Sequence, residues 1–273
     1  MAYELGIIGA GNMAEAIARG VIGRGLLQPG QVIAGDVSPE RRALFEQQLG
    51  VRTTLDNRDV VRDTRTVLLG VKPQQMAGVL ASLRIAFRPN SLVLSIAAGV
   101  GTAFIEHHLG APLRKPRVVR AMPNTPMLVG EGMVALCRGA HATEADVATA
   151  RRLFEAAAAV IEVPEARMDA VTAVSGSGPA YFFLLVEHMV RAGVEMGLTP
   201  EQADLLARKT ALGAARILTM SPDSPAELRR KVTSPGGTTE AAVAHMESQN
   251  LPQIVVDALK AAERRGGELG ASS

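Results

Sequence analysis

The chain has 273 residues, 47% of them hydrophobic, with 29 basic residues against 27 acidic ones and one cysteine. That is enough apolar material for a sizeable core in two domains, while balanced charge and few aromatics (two Tyr, six Phe, no Trp) exclude the basic stripe and stacking platforms of a nucleic-acid binder. The start MAYELGIIGAG enters an apolar strand without a basic leader, and no uninterrupted apolar run reaches membrane-spanning length, so a cytoplasmic protein with no membrane contact is expected.

From residue 1 to residue 164, short β-branched runs alternate with helical segments. YELGIIG, QVIAGD, TVLLGV, SLVLSI, RVVRA, MVALC and VIEV read as strands, most of them flat in apolar pattern, as strands covered on both faces are. The first opens into GIIGAGNMAEAI, where Gly9 allows a tight turn, Gly11 lets a pyrophosphate approach the backbone and Ala14 takes the third glycine's place against the strand. This is a dinucleotide-binding pattern. QVIAGD then ends in Asp36, placed to accept hydrogen bonds from an adenine-ribose 2′-hydroxyl and to repel a 2′-phosphate, which favours NADH. Ser38, Arg41 and Arg42 follow closely and suit a phosphate, so NADPH stays open. SPERRALFEQQLG carries the marks of a helix: Ser38 as N-cap, Pro39 at the first position, Gly50 as terminator. GVKPQQM sets Lys72 and Pro73, and VVRAMPNTP sets Asn124 and Thr125, after strands, at the edge where open α/β sheets bind ligands. Cys137 in GMVALCR is expected to be buried and inert, and His107 and His108 diverge on a helix, so no metal site is expected. The βαβα alternation predicts a doubly wound parallel sheet over 1–164.

After VIEVPEAR the strand signal stops, and 165–273 reads as an all-helical domain. GPAYFFLLVEHMVRAGVEMGL is one helix, and PEQADLLARKTALGAARILTM is another, with Ala203, Leu206, Thr210, Ala214, Ile217 and Leu218 at helical spacing. Its wide apolar surface, with Gly213, Ala214 and Ala215 permitting close packing, implies cover by another subunit. SPAELRRKV opens on a capping box, Ser224 with Glu227 reaching back, and leads into VTSPGGTTEAA. There Gly236 and Gly237 permit φ > 0 and close approach, and the helix that follows aims free N–H groups at an anion. No lysine follows the glycines, so a small carboxylate fits as well as a phosphate. The tail GGELGASS reads as disordered.

GAGNMA, GVKPQQM, SIAAGV, VRAMPNTP, AVSGSGPAYFF and VTSPGGTT, in this order and at these separations, resemble the pyrroline-5-carboxylate reductase family over nearly the whole chain. The resemblance implies a Rossmann-like domain followed by a helical dimerisation domain, an obligate homodimer often built into larger rings, and a small-molecule substrate reduced by NADPH or NADH. It implies cofactor contacts at Gly9, Gly11, Asn12, Met13, Asn57, Val71, Lys72 and Ala98, and substrate contacts at Glu165, Thr238 and Thr239. In the family the active site forms between one subunit's cofactor domain and its partner's SPGGTT loop. Many members prefer NADPH and lack an acid where Asp36 stands.

The implied substrate is a cyclic imine bearing a carboxylate, which suits Gly237, Thr238, Thr239 and the N–H groups around them. Thr239 is the candidate catalytic residue, first as orienter of the imine nitrogen and second as proton relay. Two alternatives remain at this point. A hydroxyacid dehydrogenase needs a Lys or His as acid/base on the helical domain, where His188 and Lys209 stand in ordinary helices; a cofactor-binding regulator needs no substrate loop.

Overall fold

The computed structural model describes residues 3–88, 90–110 and 115–271. It divides into two compact units, Met1–Ser177 with Ala261–Ser273, and Gly178–Lys260.

Unit 1 is built on an eight-stranded sheet: β1 (Tyr3–Ile8), β2 (Val32–Gly35), β3 (Arg52–Thr54), β4 (Thr64–Leu69), β5 (Leu92–Ser95), β6 (Arg117–Pro123), β7 (Gly132–Arg138) and β8 (Ala158–Glu162), in the order 3-2-1-4-5-6-7-8. The chain reverses its direction of travel across the sheet between β1 and β4, which makes a switch point at their carboxyl ends. Alternate residues feed two cores. Leu68 and Leu94 enter one, with Ala14, Ile17, Phe45 and Phe154 from α1 (Asn12–Gly23), α2 (Pro39–Leu49) and α6 (Glu144–Phe154). Val67, Leu69 and Val93 enter the other, with Val60, Leu80 and Ile105 from α3 (Asn57–Arg62), α4 (Pro73–Leu83) and α5 (Thr102–Leu109). Helices on both faces account for the flat apolar strands. β3, three residues on the sheet's edge, was not among the predicted strands.

The sheet is not parallel throughout. β7 runs antiparallel to β6, and β8 is parallel to β7. The connection over 124–131 holds only a short 3-10 turn, Thr125–Val129, and is too short for the crossover that a parallel partner requires. After β8 come α7 (Met168–Val171) and a π-helical turn, Thr172–Gly176.

Unit 2 carries α8 (Gly178–Glu195), α9 (Pro200–Met220), α10 (Pro225–Lys231), α11 (Thr238–Ser248) and the start of α12 (Leu251–Ala271). α8 and α9 meet where Gly193 has no Cβ: an added one would lie 3.0 Å from that of Ala203. Ser38 caps α2 and Gly50 ends it in the left-handed region, as expected. Ser224 caps α10 by accepting from the Glu227 N–H at 3.2 Å, but Glu227 does not reach back; its carboxylate points toward Arg230 instead.

One other expectation is overturned. GGELGA is helical, because Gly266 sits tightly against Asp169 and Gly270 against the Gly99 carbonyl at a distance a Cβ does not tolerate, while Ser272 and Ser273 of the same tail lie outside the described residues. Glycine here permits helix packing rather than breaking the helix. The stretch Glu165–Glu195 is, by length and composition alone, apolar enough to cross a bilayer, yet Glu165, Arg167, Asp169 and Glu187 break it, so the expectation of no uninterrupted apolar run of that length stands.

Candidate functional site

The strand register aligns Gly35, Ile8, Leu69, Ser95 and Arg120 in one row across the sheet. The residues that follow in β2, β1, β4 and β5 therefore share one lip, at the switch point. Gly9 stands there with φ +90, and an added Cβ would lie 2.8 Å from the Gly70 backbone, so both the conformation and the approach to β4 require glycine. Val71 begins just beyond that contact. Gly11 is the N-cap of α1, and the space where its Cβ would project is open. Asn12 and Met13 form the first helical turn, and Ala14 is buried beneath it. Asn57, first residue of α3, lays its side-chain oxygen over Gly35. Lys72 is the N-cap of α4, and Ala98 is exposed in the loop after β5. The eight residues that the resemblance assigns to a cofactor thus gather along this edge.

Asp36 binds the main chain on both sides: Oδ2 accepts from the Ala10 N–H at 2.6 Å and Oδ1 from the Ser38 N–H at 2.8 Å. Its carboxylate is held at the mouth of the glycine turn. The two arginines suited to a 2′-phosphate are committed elsewhere. Arg41 donates to Glu15 at 2.8 Å and to the Ala10 carbonyl, and Arg42 donates to the carbonyls of Asp36 and Val37. Burial pushes the Glu15 carboxyl up, and bonds from Arg41 and Arg19 more than offset it, so Glu15 stays charged and holds Arg41 in place. Ser38 spends its hydroxyl on the α2 cap and on Glu40.

Most helices with Ser, Thr or Asp at the N-cap use it: Ser38, Asp56, Thr143, Thr199 and Ser224 cap α2, α3, α6, α9 and α10. α1, α5 and α11 start on Gly11, Gly101 and Gly237 without a side-chain cap. At α5, Glu165 supplies the anion, accepting from the Thr102 N–H at 3.3 Å and hydroxyl at 2.8 Å. The starts of α1 in unit 1 and α11 in unit 2 remain open to an outside anion.

At α11, the left-handed glycine is Gly236, φ +71, whereas Gly237 has φ −86 and an ordinary N-cap conformation. The requirement for φ > 0 therefore rests on one glycine of the pair. Gly237 is constrained differently: an added Cβ would lie 3.0 Å from the Ser234 carbonyl. Thr238 and Thr239 form the first turn, and Glu240 accepts from the Gly236 N–H at 2.7 Å, pinning the loop from inside.

Glu165 was expected at the substrate; here its carboxylate is also a structural anchor. It pairs with Arg120 of β6, which is 5% exposed, and accepts from Thr102 and from the Cys137 thiol at 3.3 Å. Burial raises the Glu165 carboxyl, and the bonds from Arg120 and Thr102 overcome it, holding the group below its ordinary value. Burial, with Glu165 beside it, pushes the Cys137 thiol up to about 12, so it stays protonated and unreactive. Arg120 went unnoticed in the sequence, although an arginine inside the apolar run RVVRA was the signal.

The pyrroline-5-carboxylate reductase dimerisation family matches residues 165–269, and the family described as NADP oxidoreductase coenzyme F420-dependent matches residues 4–99. The pyrroline-5-carboxylate reductase of Pseudomonas aeruginosa is 43% identical over 267 residues, 97% of this chain and 96% of that protein. The chain belongs to the pyrroline-5-carboxylate reductase family. The solved structure of a reductase of this family from Coxiella burnetii superposes with a TM-score of 0.89 at 39% identity, over 98% of this chain and 99% of that one. The pyrroline carboxylate reductase of Plasmodium falciparum, solved with NADP bound, gives a TM-score of 0.87 at 27% identity, over 98% of each chain. Membership of this reductase family explains the apolar 165–195 stretch without a bilayer, since it opens the dimerisation region.

Proposed function

We propose that this chain is a pyrroline-5-carboxylate reductase, which transfers hydride from NADH or NADPH to the C=N carbon of 1-pyrroline-5-carboxylate to give L-proline, the closing step of proline biosynthesis. The observation that carries this reading is the pair of glycine helix starts, Gly11 and Gly237, left without a side-chain cap in a chain of this family. The first fits the cofactor pyrophosphate and the second the substrate carboxylate.

When bound, the reduced nicotinamide supplies the hydride. The residues of the chain bind and orient. Gly9, Gly11, Asn12 and Met13 receive the pyrophosphate; Asp36, Ser38 and Asn57 meet the adenine ribose; Val71, Lys72 and Ala98 line the nicotinamide end. The SPGGTT loop contributed by the partner subunit holds the substrate carboxylate through the positions Gly237, Thr238 and Thr239, and Glu165 is the substrate contact on the cofactor-domain side. Thr239 acts as the catalytic orienter, its hydroxyl donating a hydrogen bond to the imine nitrogen and, second, relaying to that nitrogen the proton taken from solvent as the carbon gains hydride. The functional division falls at 164/165, with a cofactor domain over 1–164 and a dimerisation and substrate domain over 165–273. The enzyme works in the cytoplasm, and its dimers assemble into a larger ring.

Oxidation of NADH and NADPH, followed side by side with the cyclic imine, tests the reading. Asp36 at the ribose, with Arg41 and Arg42 committed elsewhere, leads to NADH being used at least as efficiently as NADPH. Asp36→Ser is expected to shift preference toward NADPH. Strong wild-type selectivity for NADPH would refute the cofactor assignment, and no turnover of the imine with either cofactor would refute the function.

A further inference from the structure

We infer that Asn124 is a positioning residue for this reaction, holding a π-helical turn against the ligand-binding edge of the sheet; this rests on the reductase reading above. Asn124 follows the last residue of β6 and is 9% exposed. Its Oδ1 accepts from the Met133 N–H at 2.9 Å, and because an N–H only donates, this bond fixes which way the amide faces. Nδ2 then donates to Ser175, to its carbonyl at 3.3 Å and its hydroxyl at 3.2 Å.

Ser175 belongs to the turn Thr172–Gly176, which is closed by the Ser177 N–H on the Thr172 carbonyl at 2.8 Å. In an α-helix the Ser175 carbonyl would take the N–H four residues on. That residue is Pro179, which has none. The Asn124 amide supplies the donor that the sequence removed. Gly176 brings the turn directly against β6, since an added Cβ would overlap the Met122 terminal methyl. A π turn is less stable than the α-helix it interrupts, and it persists where its surroundings impose it, most often at functional sites.

The place is a functional one. β6 ends on the same carboxyl edge as β1, β2, β4 and β5, the edge that carries Gly9, Asp36, Val71 and Ala98. Asn124 therefore sets where the backbone of the SGSG segment stands on that edge, without touching the reacting atoms itself. Its substitution acts on the chemical step and leaves cofactor affinity alone.

Three variants test this, Asn124→Ala, Asn124→Asp and Ser175→Ala, each assayed for kcat, for KM of the cyclic imine, for cofactor Kd by nicotinamide fluorescence and for Tm. Asn124→Ala is expected to lower kcat by about tenfold to a hundredfold while cofactor Kd stays within about twofold. Asn124→Asp keeps the shape and the acceptor for Met133 but turns an oxygen toward the Ser175 carbonyl, so it should do no better than alanine. Ser175→Ala keeps the carbonyl bond and should lose less than either. Wild-type kcat in Asn124→Ala overturns the inference. So does recovery in Asn124→Asp, because shape alone would then suffice, or a parallel fall in kcat, cofactor affinity and Tm, because the role would then be general stability. Should the alanine variant fail to fold, the aspartate variant carries the comparison with wild type. A wild-type protein inactive on the imine would instead refute the reductase reading.

Discussion

Arg120 takes a full charge into the sheet, where its side chain is 5% exposed, and among the described residues only Glu165 meets it within hydrogen-bonding distance. Asp169 lies 4.0 Å away, and Nε and Nη2 have no bonded partner among the described residues. Such a pair adds little over an apolar one, but losing a single member strands the other charge. Glu165→Ala is therefore expected to destabilise by roughly 3 kcal/mol in urea unfolding, and Arg120→Met combined with Glu165→Gln by clearly less. The pH dependence follows from the same geometry. Because the folded state holds the Glu165 carboxyl below its ordinary 4.5, folding favours the ionised form. Its contribution is complete above about pH 4.5 and is lost as the pH falls through the lowered folded value. Glu165→Gln should flatten stability across that acid window; an unchanged acid limb would mean that Glu165 is not linked to folding. Gly9 adds a backbone test at the same scale. With φ +90 and Gly70 in the way, Gly9→Ala should cost on the order of 2–3 kcal/mol and take cofactor binding with it.

Among the elements, α11 is the one whose start matters most for chemistry. Thr239→Ala is expected to lower kcat/KM for the imine by about 1–3 kcal/mol in transition-state terms with cofactor affinity intact, as steady-state kinetics with cofactor titration will reveal. Gly236→Val should damage the loop more, since it forbids φ +71, whereas Gly237→Val acts by crowding the Ser234 carbonyl. Which glycine was left-handed could not be read from GG alone. Elements whose ends carry local chemistry were legible: the Ser38–Pro39 start and Gly50 stop of α2, and the glycine turn between β1 and α1, state themselves in sequence. Features set by distant packing were not. β3 exists because Ile33–Gly35 offer it an edge, β7 turns back because its connection is short, and GGELG stays helical because Asp169 and Gly99 lie against it. At the site the same division holds. The lip residues announced themselves by motif, but the Arg120–Glu165 pair and the Asn124–Ser175 anchor join positions about fifty residues apart, and only the fold brings them together.

For the molecule as a whole, the decisive fact is how little unit 2 buries alone. Phe182, Phe183, Leu184 and Leu185 on α8, Leu205 and Leu206 on α9, and Ile254, Val255 and Val256 on α12 are all exposed in the single chain, while Ala203 and Ala207 are buried. The spacing at Leu206, Ile217 and Leu218 that marked α9 as amphipathic is real, but these side chains lie at 57%, 57% and 47% exposure. An apolar surface of that extent on so small a helical unit is not stable in water by itself. The pyrroline-5-carboxylate reductase dimerisation family covers this same region, so a second copy of the chain is what covers it. Folding of unit 2 and association are then one process, and mass action makes apparent stability depend on protein concentration. Sedimentation should find a dimer or larger at every usable concentration, and Tm should rise as the protein is concentrated. Leu206→Asp places a charge on this face and should yield dissociated, unfolded and inactive chains together, whereas the same change at exposed Arg65, on the sheet of unit 1, should leave assembly intact. A soluble, fully active Leu206→Asp monomer with a concentration-independent Tm would show that the exposed faces are not the dimer interface.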